Sequence, residues 1–357
     1  MRTLRRYLAT EILAATGLVF AALLMLFAFF DLVEQIKDLG RGAYTLQRIV
    51  FYVLLSVPDH VYELFPIATL IGTLFALAQL VAGSEYTVMR TSGVSVQRFT
   101  ATLVVIGLGF ALLTFMFGEF IAPNAERFAQ RLRSQAMTGL VAQEFRSGLW
   151  VKDDKSFVNV SEVLPDSSLK GLRIYEFDAQ HQLRTISLAA AGSYQGGRRW
   201  LLQDISQTDF EDMKTTVHAI KQAHWDSVLD PALLSVLMQK PEKMSAWRLY
   251  SYAQHLRENR QKALRYEIAL WVKITYPLAV LVMMVIALPF AHFQSRQAGV
   301  GAKIFAGIML GLVFHFLNRL FSHLGLLNDW PPFASAIMPT VIFLSVAMGM
   351  IWWQERR

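Results

Sequence analysis

The chain contains no cysteine in its 357 residues. A disulfide framework, a thiolate metal or redox site and a thiol nucleophile are excluded together. Charge is scarce too: only 17% of residues are charged against 54% hydrophobic, a balance too apolar for an ordinary soluble domain and characteristic of a chain that has lipid as part of its solvent. No Gly-x-x-x-x-Gly-Lys-Ser/Thr phosphate loop occurs, since Gly299-Val300-Gly301-Ala302-Lys303 has neither that spacing nor the hydroxyl. An active transporter built on this chain must therefore take ATP from another subunit. The histidines, His60, His181, His218, His224, His255, His292, His315 and His323, show no His-Glu-x-x-His or comparable ligand spacing, so neither a metal site nor a catalytic constellation is visible. The formal net charge of +7 does not point to nucleic acid, because the basic residues sit largely at the ends of apolar runs, where topology accounts for them.

What the sequence does have is long apolar runs. A helix crosses the hydrocarbon core with about 20 mostly apolar residues. Runs free of Asp, Glu, Lys and Arg cover Ile12–Phe30, Leu64–Ser84, Phe99–Gly118, Ile274–Ser295 and Trp330–Gln354, and a sixth, Ile304–Leu327, is interrupted only by Arg319. The first follows Arg2, Arg5 and Arg6 as a signal peptide would, but no small-residue cleavage site follows it and Asp31 and Glu34 come next, so it is read as a retained span. Lys and Arg resist translocation, and they set the orientation. With both termini inside, the cytoplasmic segments carry Arg2, Arg5, Arg6, Arg90, Arg98, Arg296, Lys303, Arg356 and Arg357, while the short outer loops carry Lys37, Arg41 and Arg48. Residues 123–265 then lie on the outer face. Pro58 and Pro66 on the approach to the second span, and Pro277 and Pro289 in the fourth, predict kinked or broken helices.

Between the third and fourth spans the pattern changes from long runs to short alternating ones. Trp150-Val151, Phe157–Val160, Leu172–Phe177, Leu183–Ala189, Trp200–Ile205 and Thr215–Ile220 read as strands, separated by turn residues at Pro165-Asp166, Asp178–His181 and Gly196-Gly197. The spacing predicts a β-sandwich or jelly roll near residues 140–240, followed by a helix over Trp247–Arg260. The fold class expected is thus an α-helical membrane protein with six transmembrane helices and an inserted, periplasmic β-jelly-roll-like domain. Its organisation is 1–122 for the first three spans, 123–265 for the insert and 266–357 for the last three.

The loop after the second span reads Ser84-Glu85-Tyr86-Thr87-Val88-Met89-Arg90-Thr91-Ser92-Gly93. Ser84 as cap, Glu85 in the first turn and Gly93 at the end predict a short helix between two spans. Spacing alone does not separate a helix that docks in a partner's groove from a solvated connector. The pattern Ser-Glu-x-x-x-Met-Arg-x-Ser-Gly nevertheless resembles the coupling helix of the LptF/LptG lipopolysaccharide export permease family. The likeness continues through Gly118-Glu119-x-x-Ala122-Pro123, Gly148-Leu149-Trp150, Leu172–Asp178, Lys273-x-x-x-Pro277 and Ala287-Leu288-Pro289-Phe290, in that order on a matching topology. The Gly-Leu-Trp and Arg-Ile-Tyr segments are more similar to the LptG branch than to the LptF branch.

The resemblance implies a subunit of the Gram-negative inner membrane that pairs with an LptF-like permease, an LptB-like ATPase dimer and an LptC-like single-span protein. In that assembly this chain binds no cofactor; ATP and Mg belong to the partner ATPase. Glu85, Met89, Arg90 and Gly93 would couple to it. The lipid would be lipopolysaccharide, and the domain of strands would join others edge to edge in a bridge across the periplasm. Ligand contacts are implied at the outer ends of spans one, three and five. Candidates for gripping the lipid phosphates are Lys37, Arg131, Arg133, Lys273 and Arg319, with Phe27 and Phe30 of span one and Phe314, Leu317 and Phe321 of span five as the wall of an apolar cavity that opens sideways. Some relatives have a further lysine near the position of Asp31, and the acid in its place here argues against a ring of lysines around the phosphates in this chain.

Each of these residues has a plainer reading. Arg127 and Arg131, spaced i and i+4 without an intervening acid, repel unless an anion is near, or they simply lie on a solvated face. Arg319, about 12 Å of helix rise below the outer end of its span, either snorkels to the headgroups or meets ligand. Lys273 has the same two options, and the aromatic faces are at the spacing of ordinary lipid or packing contacts. Asp59, Glu63 and Glu119 suit capping or pairing better than proton carriage. Rival classes are a lipoprotein-release type permease, which has four spans, a membrane enzyme acting on envelope lipid, which needs a polar catalytic cluster, and a passive scaffold.

Overall fold

The computed structural model describes residues 2–136, 148–153, 156–163, 168–178, 180, 182–211, 214–227, 229, 240–258, 261–293 and 300–356. The turn at Pro165-Asp166, His181, Arg260, Arg296, Gly299 and Arg357 lie outside the described residues. Among the described residues six helices are long and apolar enough to cross a membrane. In chain order the helical elements are α1 Arg2–Ile36, α2 Leu46–Ala82, α3 Glu85–Thr91, α4 Val96–Met116, α5 Ala122–Ala136, α6 Ala246–Glu258, α7 Leu264–Phe293, α8 Val300–Leu327 and α9 Pro332–Glu355. Spans one, two, four, five and six are α1, α2, α7, α8 and α9. Span three is α4 and α5, joined through a π turn at Phe117–Ile121 in which the Ala122 N–H donates to the Phe117 carbonyl.

The chain divides into two compact units. One comprises Met1–Glu34, Val53–Arg127 and Pro241–Arg357; the other comprises Gln35–Tyr52 and Phe128–Lys240. The core of the first lies along α2 and α7: Phe65, Leu70, Leu74 and Leu77 of the one and Val280, Met283, Met284, Ile286 and Leu288 of the other are buried together. Alpha-helices satisfy their own backbone, so in hydrocarbon the packing between them is set by shape. The α1 and α2 backbones come close enough that a Cβ on Gly72 would stand 2.5 Å from the Thr16 Cα. Spans one and five expose most of their apolar residues: only 17% of the apolar window of each is buried, against 78% for span two.

Helix α2 runs on through Pro58 and Pro66 instead of breaking, and α7 continues through Pro277 and Pro289. Just after Pro66 the Thr69 hydroxyl donates back to the carbonyls of Phe65 and Pro66, so this buried polar group is satisfied within its own helix. Helix ends also extend past the charge-free windows. Glu11 is tolerated inside α1, and Asp31 near its end hydrogen-bonds His60 of α2 at 2.6 Å.

The insert is β-jelly-roll-like, with six strands in one antiparallel sheet whose order follows the chain: β1 Leu149–Asp153, β2 Ser156–Val163, β3 Leu169–Phe177, β4 Leu183–Gly196, β5 Arg199–Glu211 and β6 Lys214–Asp226. Alternation puts one set of side chains inward: Val158, Val160, Leu172, Ile174, Ala189, Leu202 and Ile205 are buried together with Trp200, whose indole N–H donates to the Leu229 carbonyl at 2.7 Å. Leu172 pairs with Val160 on one side and Ala189 on the other, which fixes the register of the central strands. All six predicted strands are present, but β4, β5 and β6 run well beyond their apolar segments. In β4 the extra residues begin with the small Ala190–Ser193, and Gly192 packs so that a Cβ would lie 3.1 Å from the Leu202 side chain, a packing signal that alternation does not reveal. Gly197 and Arg198, both at positive φ, make the two-residue turn between β4 and β5.

Candidate functional site

Helix α3 stands in the loop that the sequence singles out. Ser84 precedes it at φ 62 and makes no side-chain cap bond, contrary to the expected hydroxyl cap; its carbonyl accepts the Val88 N–H instead. Gly93 follows the last turn at φ +87, the conformation that glycine adopts without strain. Tyr86 and Met89, three apart and so on one face, pack against the core, with the Tyr86 ring 5.3 Å from Phe99. Burial pushes the Tyr86 phenol up, with nearby Arg90 acting the other way. Glu85, Val88 and Arg90 are exposed, Val88 at 61%. Of the four predicted coupling residues, Met89 thus faces inward and serves as an anchor. Glu85 accepts a hydrogen bond from the Tyr7 hydroxyl of α1 at 2.8 Å, a link that the sequence did not suggest. The Arg90 guanidinium closes on the Val94 carbonyl at 3.1 Å.

In the unit made by Gln35–Tyr52 and Phe128–Lys240, the loop after α1 is tightly built. The Tyr44 hydroxyl, buried, donates to Gln35 at 2.9 Å, and burial pushes that phenol up to about 12. The Ala43 N–H donates to the Ala136 carbonyl at the end of α5. Asp38 takes Arg41 at 2.7 Å on one carboxylate oxygen and Arg133 of α5 at 3.0 Å on the other. Arg133 also lies 5.9 Å over the Tyr52 ring. Lys37, in the same loop, and Arg131, on α5, are exposed. The neighbouring Arg127, in the helical unit, donates to the Pro123 carbonyl and to Asn124.

The helical unit gathers its ionisable groups where the chain returns from the sheet. Lys243 meets Glu126 of α5 at 2.9 Å and Asp59 of α2 at 3.4 Å. The Glu119 carboxylate, in the π turn, accepts the N–H groups of Ala246 at 2.7 Å and Trp247 at 3.2 Å, so it caps α6 from 127 positions away. Lys273 is only 8% exposed and donates to the Met244 carbonyl beside the Tyr62 ring, so its ammonium is committed inside the unit. Arg319 keeps 75% of its side chain exposed with Glu63 of α2 at 3.6 Å, and the same Glu63 oxygen faces His315 at 3.8 Å. Span five has no acid of its own, but span two provides one.

The apolar candidates separate. Phe27 lies against the His60 ring at 5.3 Å, Phe30 is 57% exposed beside Phe29, Leu317 is half-buried, and Phe321 approaches Trp330 at 6.4 Å. Phe314 belongs to the core, 2% exposed with its ring against Phe343 of span six, because its position on α8 points toward α9. Among the described residues no group of three or more His, Asp or Glu could hold a metal ion.

The family model for the lipopolysaccharide export system permease LptF/LptG matches residues 6–353. The lipopolysaccharide export system permease protein LptG of Escherichia coli is 32% identical over 98% of this chain and 97% of its own length. The protein of the same description from Haemophilus influenzae is 32% identical over 99% of this chain and 98% of its own.

Proposed function

This chain belongs to the LptF/LptG family and is a lipopolysaccharide export permease subunit of the inner membrane, and from that premise we propose how it works. It takes lipopolysaccharide from the outer leaflet of the inner membrane and holds it in a cavity shared with an LptF-like permease. An LptB-like ATPase dimer, which binds the ATP and Mg, closes below and drives the lipid upward; an LptC-like single-span protein completes the assembly. Both termini face the cytoplasm and the sheet lies in the periplasm, where it passes lipid to a bridge toward the outer membrane.

The observation that carries this reading is α3, a short helix between two spans with an anchored face and an exposed one. Tyr86 and Met89 hold it to the bundle, so a push on Glu85, Val88 and Arg90 from an ATPase groove is transmitted to α2 and α4. Phosphate recognition falls to the exposed Lys37 and Arg131 with the half-buried Arg133 in one unit and to the exposed Arg319 in the other. Lys273 acts from inside, fixing the return of the chain at Met244. Weak internal packing of spans one and five suits a lateral gate faced by Phe27, Phe30, Leu317 and Phe321, with Phe314 as the hinge packing behind it.

The test is Glu85→Ala in proteoliposomes with the co-purified ATPase. Lipid release should fall about tenfold, the equivalent of about 1.4 kcal/mol of lost interface energy. Tyr7→Phe, which removes only the bond to span one, should retain most of the release. Unchanged release and unchanged ATPase assembly in Glu85→Ala would refute the coupling role.

A further inference from the structure

Arg41 and Arg133 come from separate elements and meet on a single carboxylate. Asp38 sits in the loop after α1, whose path is pinned by the Asp38 N–H to the Gln35 carbonyl at 3.1 Å, the Gly40 N–H to the Tyr44 carbonyl at 3.1 Å and the Arg41 N–H to the Asp38 carbonyl at 3.2 Å. The buried Tyr44 and Gln35 lock the loop from beneath. The three charges are therefore held by a built scaffold and do not depend on a chance encounter of long side chains.

The pairing is incomplete in a telling way. Each arginine is joined to Asp38 by one nitrogen and one oxygen, where a guanidinium and a carboxylate are able to form a two-pronged fork. The cations face outward, Arg41 with 57% and Arg133 with 36% of its side chain exposed, while the anion lies inside at 17%. The trio keeps a net charge of +1. A phosphate monoester, with three terminal oxygens and a charge approaching −2, matches two guanidinium forks better than a carboxylate does.

We propose that Asp38 is a built-in counter-anion that a lipid-borne phosphate must displace from Arg133 and Arg41, and that this competition sets how tightly the lipid is held and how readily it leaves. The inference rests on the phosphate-gripping role assigned to Arg133 above. Entry of the phosphate exchanges one anion for another. On departure the carboxylate takes the guanidinium groups back, so release leaves no pair of bare cations facing each other.

The experiment measures binding of fluorescent bisphosphorylated lipid A, and of the same lipid with both phosphates removed, to the full chain and its co-purifying proteins in nanodiscs. Asp38→Asn should tighten the phosphorylated lipid by about three- to fivefold, the scale of a partly exposed ion pair, and the gain should shrink as salt is raised. The dephosphorylated lipid should show no change. Arg41→Gln, which leaves Asp38 to Arg133 alone, should weaken the phosphorylated lipid by a similar factor and keeps the question answerable if Asp38→Asn unfolds. Weaker or unchanged binding in a folded Asp38→Asn protein overturns the proposal, as does unchanged binding in Arg41→Gln. So does a gain seen only with millimolar inorganic phosphate and not with the lipid. If Arg133→Gln leaves binding of the phosphorylated lipid intact, the phosphate role of Arg133 itself fails; if Arg133→Gln weakens it while Asp38→Asn changes nothing, only the competition fails.

Discussion

At the scale of single residues, the helical unit depends on ionisable groups whose partners are far away along the chain. Lys243 bridges Glu126, 1% exposed, and Asp59, 21% exposed, so it places one cation between two carboxylates at low dielectric. Lys243→Met removes that cation and leaves the acids facing each other. Because Lys243 is itself 34% exposed, solvent screening reduces the penalty, and the loss expected is about 2 kcal/mol. Thermal unfolding of the detergent-solubilised protein should show it, and Glu126→Gln added to Lys243→Met should restore most of it; full stability in the single variant would show the bridge to be ornamental. The sequence flagged Asp59, Glu63 and Glu119 as capping or pairing groups, and that is the use the structure makes of them. It did not reveal the partners Lys243, Ala246, Arg319 and His315, because helical periodicity relates a residue only to neighbours three and four positions away. Asp38 was missed for a related reason: a lone acid in an outer loop carries no pattern until α5 brings Arg133 to it.

At the scale of elements, spans were readable because a bilayer imposes a length, but their ends were not, because a charge does not stop a helix in a protein that offers it a partner. Asp31, taken as the limit of span one, remains helical and bonds His60. Of the kink or break that the prolines predict, the break is absent, since α2 and α7 stay helical through all four rings. Contact between α1 and α2 yields a sharp expectation. Gly72 has the Thr16 backbone where its Cβ would be, whereas Gly17, the next residue along α1, has nothing within 4 Å. Gly72→Val should force the two helices apart at a cost of about 1–3 kcal/mol, and Gly17→Ala should be tolerated. Unfolding midpoints measured side by side decide it: equal values would mean that α1 does not pack against Gly72. The short strands of the insert were recognisable from alternation, but the small-residue half of β4 was invisible, because Gly and Ala signal nothing until a neighbouring strand lies over them.

At the scale of the whole molecule, the absence of cysteine becomes an experimental advantage. Single cysteines report sidedness without background, and two exposed valines are suitable sites: Val88 on α3, 61% exposed, and Val217 on β6, 65% exposed. A membrane-impermeant maleimide added outside the inner membrane should label Val217→Cys and spare Val88→Cys; inverted vesicles should give the reverse. Labels in the opposite order would overturn the sidedness and with it the route proposed for ATP-driven force. The number of spans, the position of the insert and its six strands all followed from composition and period, since these are imposed by solvent. The arrangement of charges did not, since it is imposed by the folded chain on itself.

The π turn in span three ties these levels together. One additional residue housed in a wide turn takes back about 100° of winding. It works as a phase adjustment on a shaft: Phe110 and Thr114 before the turn and Ala122 and Glu126 after it are all buried, so the acid arrives clocked toward the protein. With that residue lost and the winding regular, Glu126 would rotate away from the protein, and the returning segment at Lys243 would keep Asp59 but lose its shorter partner.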